Sequence, residues 1–180
     1  GEVLVEEIRA GDRVMTRDNG WQEIRWVGRR DLGLADLIVR PHLRPVEIRR
    51  GALGHGLPLR DMKVSPQHRM LMEGARAEMF FGEAEVLVAA THLTALQGVD
   101  QVLTAGISYI HLLFDRHEII CADGAWTESF QPATRMLNSM EEAQRDELAE
   151  LFPELVLDGV DFPSARLSLK AHEARVLLGA

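Results

Sequence analysis

The sequence predicts a mainly β fold followed by a helical C-terminal extension. Short alternating apolar runs, separated by glycine, proline and asparagine turns, fill the first 130 residues, and this pattern is typical of many short strands. Beyond them the apolar positions recur at helical intervals. We therefore predict a β domain over residues 1–130 and a helical extension over residues 131–180 that packs on it.

The composition is ordinary for a globular chain with a real core. Apolar residues make up 46% and charged residues 27% of the 180 positions, and the net charge is −8. An acidic chain lacks the basic face that nucleic-acid binding requires, and no apolar run approaches the length of a membrane span. The single cysteine, Cys121, excludes an intrachain disulfide. We expect no cofactor, and a cytoplasmic location or secretion without a conventional N-terminal signal.

The first third of the chain is predicted to be β. Alternation in EVLVEEI, residues 2–8, predicts an opening strand. The tripeptide DNG, which ends at Gly20, supplies the positive φ values of a tight hairpin between two β-rich runs. Further strands are predicted near residues 36–39 and 44–48, before a glycine-rich loop.

The middle of the chain predicts a second group of strands. In KVSPQHRMLM, residues 63–72, a Ser-Pro-Gln-His turn separates two strands. The run EVLVAATHL predicts a strand that continues into a short helical turn. Residues 107–130 predict two or three strands, the last pair joined by a turn at Asp123 and Gly124.

Two helices are predicted in the extension. Ser139 and Glu142 form a capping box at the start of an amphipathic run, which predicts a helix over residues 139–152. A second amphipathic pattern predicts a helix over residues 167–178. The pair Asn138 and Ser139 could also be a scissile junction, but the helix cap explains Ser139 without chemistry.

Ser65 and His68 are the first candidate for chemistry. Their spacing across a proline-containing bend can bring a hydroxyl and an imidazole to one side of the backbone. There the hydroxyl could polarise a peptide bond while the imidazole donates a proton to the departing nitrogen. The alternative is that Ser65 only starts a turn and His68 only caps a strand end.

A second candidate cluster is His111, Asp115 and His117. In a regular strand these positions point to one face, where two imidazoles and a carboxylate could form an acid–base set or half of a metal site. The alternative is an exposed turn whose charges are merely solvated. Cys121, flanked by apolar residues, is interpreted as an inert buried thiol.

Four segments, taken in order, resemble a known family. They are VEEIRAGDRVMTRDNG, VSPQHRMLM, EVLVAATHL and HLLFDRHEIICADGAWTESF. Together they resemble the Hint domain shared by hedgehog autoprocessing domains and inteins, particularly the bacterial Hint-domain proteins, over residues 1–130. The resemblance implies a pseudo-twofold β horseshoe that cleaves or rearranges the peptide bond at its own N-terminus. A Cys or Ser there attacks the preceding carbonyl, so the substrate is the protein's own upstream polypeptide, and a small thiol or water resolves the ester.

The resemblance also implies roles for the candidate residues. Ser65 and His68 stand where the Thr/Ser-x-x-His element polarises the scissile amide. The later histidine of the splicing motif matches His117, and His111 lies near an acidic position of the family. Asp115 is expected to assist together with His117 from the opposite arm of the fold.

This sequence departs from the family pattern in three places. The segment that carries the nucleophile, expected about a dozen residues before Gly1 by analogy with the family's general pattern, is absent from the sequence. Gly28 or a neighbouring residue stands where hedgehog-type domains carry an aspartate, so that acid is missing or replaced, and no His-Asn pair follows near Phe130. Intein-style splicing is therefore not expected. The domain would act once, in a longer protein, and this chain alone is expected to be inert toward its own backbone.

A second function stays open beside self-cleavage. The missing acid and the helical extension are also compatible with a non-catalytic descendant that binds a partner or presents another domain. A conventional hydrolase or a zinc enzyme is disfavoured, because serine and histidine are present without an identifiable triad.

Overall fold

The computed structural model describes residues 1–131, 146–152 and 163–179. Within them the prediction of a mainly β fold is confirmed. The strands are β1 (Arg13–Thr16), β2 (Gly20–Glu23), β3 (Trp26–Gly33), β4 (Val46–Ile48), β5 (Met62–Val64), β6 (Arg69–Glu73), β7 (Glu85–Ala89), β8 (Val99–Gln101), β9 (Gly106–Leu113), β10 (Ile119–Ala122), β11 (Ala125–Glu128) and β12 (Leu167–Ser168). The α-helices are α1 (Leu34–Val39), α2 (Ala75–Phe81), α3 (146–151) and α4 (Ala171–Leu178), and 3₁₀ helices span Val5–Glu7, Pro41–Leu43 and Ala90–Leu93.

The described strands form three sheets. The largest has seven strands in the order β12-β7-β6-β11-β10-β1-β2. The long strands β3 and β9 form a two-stranded ribbon, and β5, β4 and β8 form the third sheet. Only β12 runs parallel to its neighbour, β7; the other pairs are antiparallel. No helix in the described ranges combines the length and the apolar character that a membrane span needs.

Both predicted tight turns are confirmed. β1 pairs with β2 across the DNG turn, where Gly20 has a φ of +65°. β10 pairs with β11 across Asp123 and Gly124, with φ values of +49° and +79°. In each hairpin a residue that tolerates positive φ stands where the turn demands it.

Two predicted strands near the N-terminus are wrong. Residues 5–7 form a 3₁₀ turn, closed by the Glu7 amide donating to the Leu4 carbonyl at 3.0 Å. Val3 is 64% exposed, so the alternating apolar residues of this segment do not pack against a core. Residues 36–39 belong to α1, because the Asp36 carboxylate accepts the Gly33 amide at 3.0 Å and caps the first turn.

The helical extension differs in part from its prediction. Leu167–Ser168 forms β12 rather than the start of a helix, and α4 begins only at Ala171. The Glu173 carboxylate accepts the Lys170 amide at 2.7 Å and so caps the N-terminus of α4. The first half of the helix predicted over 139–152 lies outside the described residues, as do Asn138 and Ser139; its second half is α3.

The extension contributes to the core beside the ribbon. Leu151 and Phe152, each 1% exposed, pack with Leu37, Leu43 and Tyr109. A larger cluster lies between the seven-stranded sheet, the three-stranded sheet and α4. The chain on both sides of residue 131 therefore shares buried surface, which stabilises α3 in its place.

The pair Trp26 and Gly28 sets the local shape of the ribbon. Both lie on one face of β3, and the indole folds across Gly28, so that a Cβ added there would lie 2.0 Å from the ring. The same indole packs against Phe130 and Phe152, with ring centroids 5.7 and 5.6 Å away. Gly28 is paired across the ribbon with His111. The absence of a Cβ at Gly28 therefore leaves space for Trp26, Phe130 and Phe152, which form an aromatic wall beside His111.

We expect Gly28→Ala to destabilise the fold by about 1–3 kcal/mol, because the indole cannot swing away without losing both phenylalanines. Chemical denaturation of the single variant and of Gly28→Ala/Trp26→Leu measures this. The double variant should lose less stability than the sum of the two single changes. Strict additivity of the two single changes would contradict the packing described.

Candidate functional site

The Ser-Pro-Gln-His turn between β5 and β6 is held from both sides. The His68 amide donates to the Ser65 carbonyl at 3.1 Å and closes the turn. The turn's own carbonyls are fixed by the segment after β7: the Ala90 amide donates to the His68 carbonyl at 2.8 Å, and the Thr91 amide to the Pro66 carbonyl at 2.9 Å. Ser65 is 3% exposed. The backbone of the turn is therefore fixed, with Ser65 buried and His68 partly buried.

The His68 ring is anchored by Thr127 of β11. His68 Nε2 is hydrogen-bonded to Thr127 Oγ1, and this hydroxyl also donates to the Arg69 carbonyl at 3.0 Å. A hydroxyl has one proton, so Thr127 accepts from an Nε2–H, and we assign the proton of neutral His68 to Nε2. Nδ1 is then the ring atom that can take up and release a proton. Burial lowers the pKa of His68, with a partly opposing effect of Glu128.

His111 lies between His68 and the aromatic wall. Its ring centroid is 6.4 Å from that of His68, 5.8 Å from Phe130 and 5.1 Å from Phe152. Its Nε2 atom is buried without a hydrogen-bond partner in the part of the chain that the structure describes. Burial, and then the neighbouring His68, lower the pKa of His111 to about 3. The ring is therefore neutral at physiological pH.

His117 reaches the interior beside Glu128. Its Nδ1 accepts the Ala165 amide at 3.0 Å, so the proton of the neutral ring lies on Nε2, which faces Glu128 Oε2 at 3.2 Å. Glu128 also accepts the Arg69 amide at 2.9 Å, and the Arg69 guanidinium lies 3.5 Å from it. Although burial acts to raise it, Arg69 and His117 hold the pKa of Glu128 below its ordinary value. Glu128 is thus a buried, ionised carboxylate.

Helix α3 adds a second carboxyl to the same site. Glu147 is 7% exposed, and its Oε2 accepts the Gln67 amide at 3.1 Å. Burial raises the pKa of Glu147 to about 7, although the Ser65 hydroxyl and the Gln67 amide act against it. A cavity of about 10 Å³ remains between this carboxyl, Ser65, His68, His111 and Glu128. That volume is about enough for one water molecule.

Asp115 is not brought into this cluster. β9 ends at Leu113, so the prediction that positions 111 to 117 share one face of a strand is wrong. The Asp115 carboxylate accepts two hydrogen bonds from Arg25, both at 2.9 Å, and its side chain is 64% exposed. The turn still returns His117 to the interior, because Phe114 is buried and anchors it.

Cys121 is exposed, which corrects the prediction of a buried thiol. It pairs across β10 and β11 with Trp126 and therefore shares its face, opposite to that of the neighbouring Thr127. The thiol cannot reach His68 through the sheet. No group of side chains in the described ranges could hold a metal ion, and the sequence proposal of a metal half-site finds no support.

Thr127, Glu128 and Glu147 belong to the site but were not predicted from the sequence. Glu128 had a signal, since a carboxylate at the end of a strand of otherwise apolar character is costly unless paired. Glu147 also had one, because it precedes Leu151 by four residues and so shares the apolar face of the predicted helix. The Trp26 ring fills the space above Gly28, across the ribbon from His111.

Comparison with known proteins gives one match. A family model described as the Hint domain matches residues 1–134. No curated protein and no solved structure matches the chain. The match covers the four segments whose resemblance the sequence indicated.

We expect that in His111→Leu the free energy of unfolding falls less between neutral and acidic pH than in the wild type. His111 stays neutral in the folded protein, whereas the unfolded chain binds a proton below a pH of about 6.5. Its stabilising contribution is complete above that pH and is lost as the pH falls toward 3, by roughly 2 kcal/mol at about pH 5. Thermal unfolding at about pH 5 and pH 7.5 measures the difference.

The exposed His172 provides the control, since His172→Leu should keep the wild-type acid sensitivity. The raised pKa of Glu147 makes the folded protein more stable as the pH falls below about 7, which opposes the effect of His111. Each variant is therefore compared with the wild type at the same pH. An unchanged pH dependence in His111→Leu would rule out a neutral buried ring.

Proposed function

The chain belongs to the Hint domain family, and on this premise we propose that it is the autoprocessing domain of a larger bacterial protein. It would rearrange a peptide bond of its own polypeptide by an N–S or N–O acyl shift. The observation that carries the proposal is the Ser65–His68 turn. It points into a buried cluster with two further histidines and an ionised carboxylate.

The lowered pKa of His68 suits both halves of an acyl shift. The neutral ring can take the proton of an attacking thiol or hydroxyl as the nucleophile's sulfur or oxygen bonds to the carbonyl carbon. Once protonated, an imidazole of low pKa is a strong acid. It can then pass the proton to the amide nitrogen, so that the C–N bond breaks and an ester or thioester forms. Burial, the main cause of the low pKa, comes from the fold itself.

The remaining members of the cluster have supporting roles in this proposal. Ser65 holds the bond that is cleaved, His111 limits the polarity and space around His68, and His117 is oriented by Glu128. Asp115, which faces Arg25 at the surface, has no role beside the reacting atoms. The substrate is the protein's own polypeptide, and a small thiol or water resolves the ester.

One observation favours a second function, a non-catalytic module for binding a partner or presenting a domain. α3 covers the cluster, and the cavity of about 10 Å³ has no room for a peptide. In that case the buried histidines would serve only the fold. The two functions differ in whether any peptide bond of the complete protein is cleaved.

We expect the polypeptide as the gene encodes it to split on incubation with dithiothreitol, as followed by intact-mass spectrometry. His68→Ala should slow this by at least about a hundredfold, the contribution of a general acid–base group. His172→Ala, at an exposed position on α4, should cleave like the wild type. Equal rates for His68→Ala and the wild type would refute the proposal, and an intact wild type would favour the binding module.

A further inference from the structure

We propose that Glu147 is the general base by which water resolves the ester, so that the reaction of this site ends in hydrolysis. The inference rests on the proposed acyl shift and names its second step. It assigns a role to a residue of α3, which lies beyond the segment matched by the family model.

Two carboxyls line the cavity beside His68, and their partners differ. Glu128 is committed to structural contacts, since it accepts the Arg69 amide and faces both the Arg69 guanidinium and His117. Among the described residues, the Glu147 carboxyl accepts its hydrogen bond from a neutral donor, the Gln67 amide at 3.1 Å, and the neutral Ser65 hydroxyl lines the same cavity. A carboxyl held by neutral groups is free to change its protonation state, whereas one neutralised by cations is not.

The two environments separate the proton affinities of the carboxyls. The pKa of Glu128 is lowered, and burial raises that of Glu147 to about 7. A pair of carboxyls shifted apart within one site is the usual arrangement when one must exchange protons and the other must stay charged. Near neutral pH, Glu147 can both accept a proton and return it.

The size of the cavity favours water as the resolving group. The space between Glu147, His68 and His111 is about 10 Å³, which suits one water molecule. A thiol reagent, like the upstream segment itself, reaches this space only when α3 moves away, so cleavage by dithiothreitol in the test below reports such an opening. That movement would also break the packing of Leu151 and Phe152 against the ribbon.

The proposed step balances in atoms and protons. The Glu147 carboxylate takes a proton from water as the water oxygen bonds to the carbonyl carbon of the ester or thioester. The tetrahedral intermediate then loses the alkoxide or thiolate, and Glu147 returns the proton to it. The products are a carboxylic acid on the upstream fragment and a free hydroxyl or thiol on this domain.

Glu147→Gln is the test variant, because the amide oxygen can still accept the Gln67 amide but cannot act as a base. Glu150→Gln is the matched control, as Glu150 lies on the same helix and its carboxylate contacts His42 at the surface, 2.8 Å away. The complete protein is incubated in H₂¹⁸O without thiol, and fragments are followed by mass spectrometry. A parallel sample receives dithiothreitol, which reports ester formation independently of water.

In the wild type and in Glu150→Gln we expect ¹⁸O in the new carboxyl group of the upstream fragment. In Glu147→Gln, hydrolysis should fall by at least about a hundredfold, while cleavage by dithiothreitol stays within about twofold, and ester should accumulate. Glu147→Asp, which keeps a carboxyl, should hydrolyse faster than Glu147→Gln. A residue that only tethers α3 would not separate the two kinds of cleavage.

The pH profile gives a second readout. Hydrolysis by the wild type should rise through pH 7 as Glu147 ionises, and this limb should be missing in Glu147→Gln. Within residues 1–131, 146–152 and 163–179, the titratable groups that face Glu147 are Glu128, His42, Tyr109 and His68, and they are unchanged in the variant.

Three outcomes overturn the inference. If Glu147→Gln hydrolyses as fast as the wild type or faster, Glu147 is a tether or a cover rather than a base. If the wild type is cleaved by dithiothreitol but never by water, the acyl shift stands and only the hydrolytic step is refuted. Absence of cleavage under both conditions refutes the acyl shift and this inference together.

Discussion

The buried carboxylate of Glu128 is the interaction on which the rest of the site depends. It binds the backbone and side chain of Arg69 at the start of β6 and faces His117, just before β10. An ionised group can stay buried only if it is compensated in this way. Loss of one partner would leave an uncompensated charge beside the turn that carries His68. The same contacts therefore hold three strands together and fix the electrostatics of the cluster.

Local sequence signals predicted the parts of the structure that are decided locally. The DNG hairpin, the Asp123 turn and the Ser-Pro-Gln-His bend follow from residues that either tolerate positive φ or, as proline, fix φ within four positions of the chain. Ser65, His68, His111 and His117 were predicted as site candidates, and the structure brings them into one region. The family match covers the same segments, so the mainly β fold could be predicted from sequence.

Other features were decided by tertiary contacts and could not be predicted in this way. Asp115 faces outward because β9 ends at Leu113, and no glycine or proline in the sequence marks that end. α1 forms although it ends in the β-branched residues Ile38 and Val39, because Asp36 caps its first turn. Glu147 enters the site only because Leu151 and Phe152 dock against the ribbon far away in sequence. In each case the outcome depends on a structural contact that the local sequence pattern does not show.

The short strand β12 has a consequence for where this fold can be cut. The two residues of β12, Leu167 and Ser168, pair with the buried Val86 and Leu87 of β7 and cover this outer edge of the seven-stranded sheet. A fragment trimmed to the family match at residue 134 would present that edge bare. Unpaired apolar edges recruit strands from other molecules, so such a fragment would tend to self-associate. The boundary of the family match is therefore a poor guide to the shortest fragment of this protein that stays monomeric.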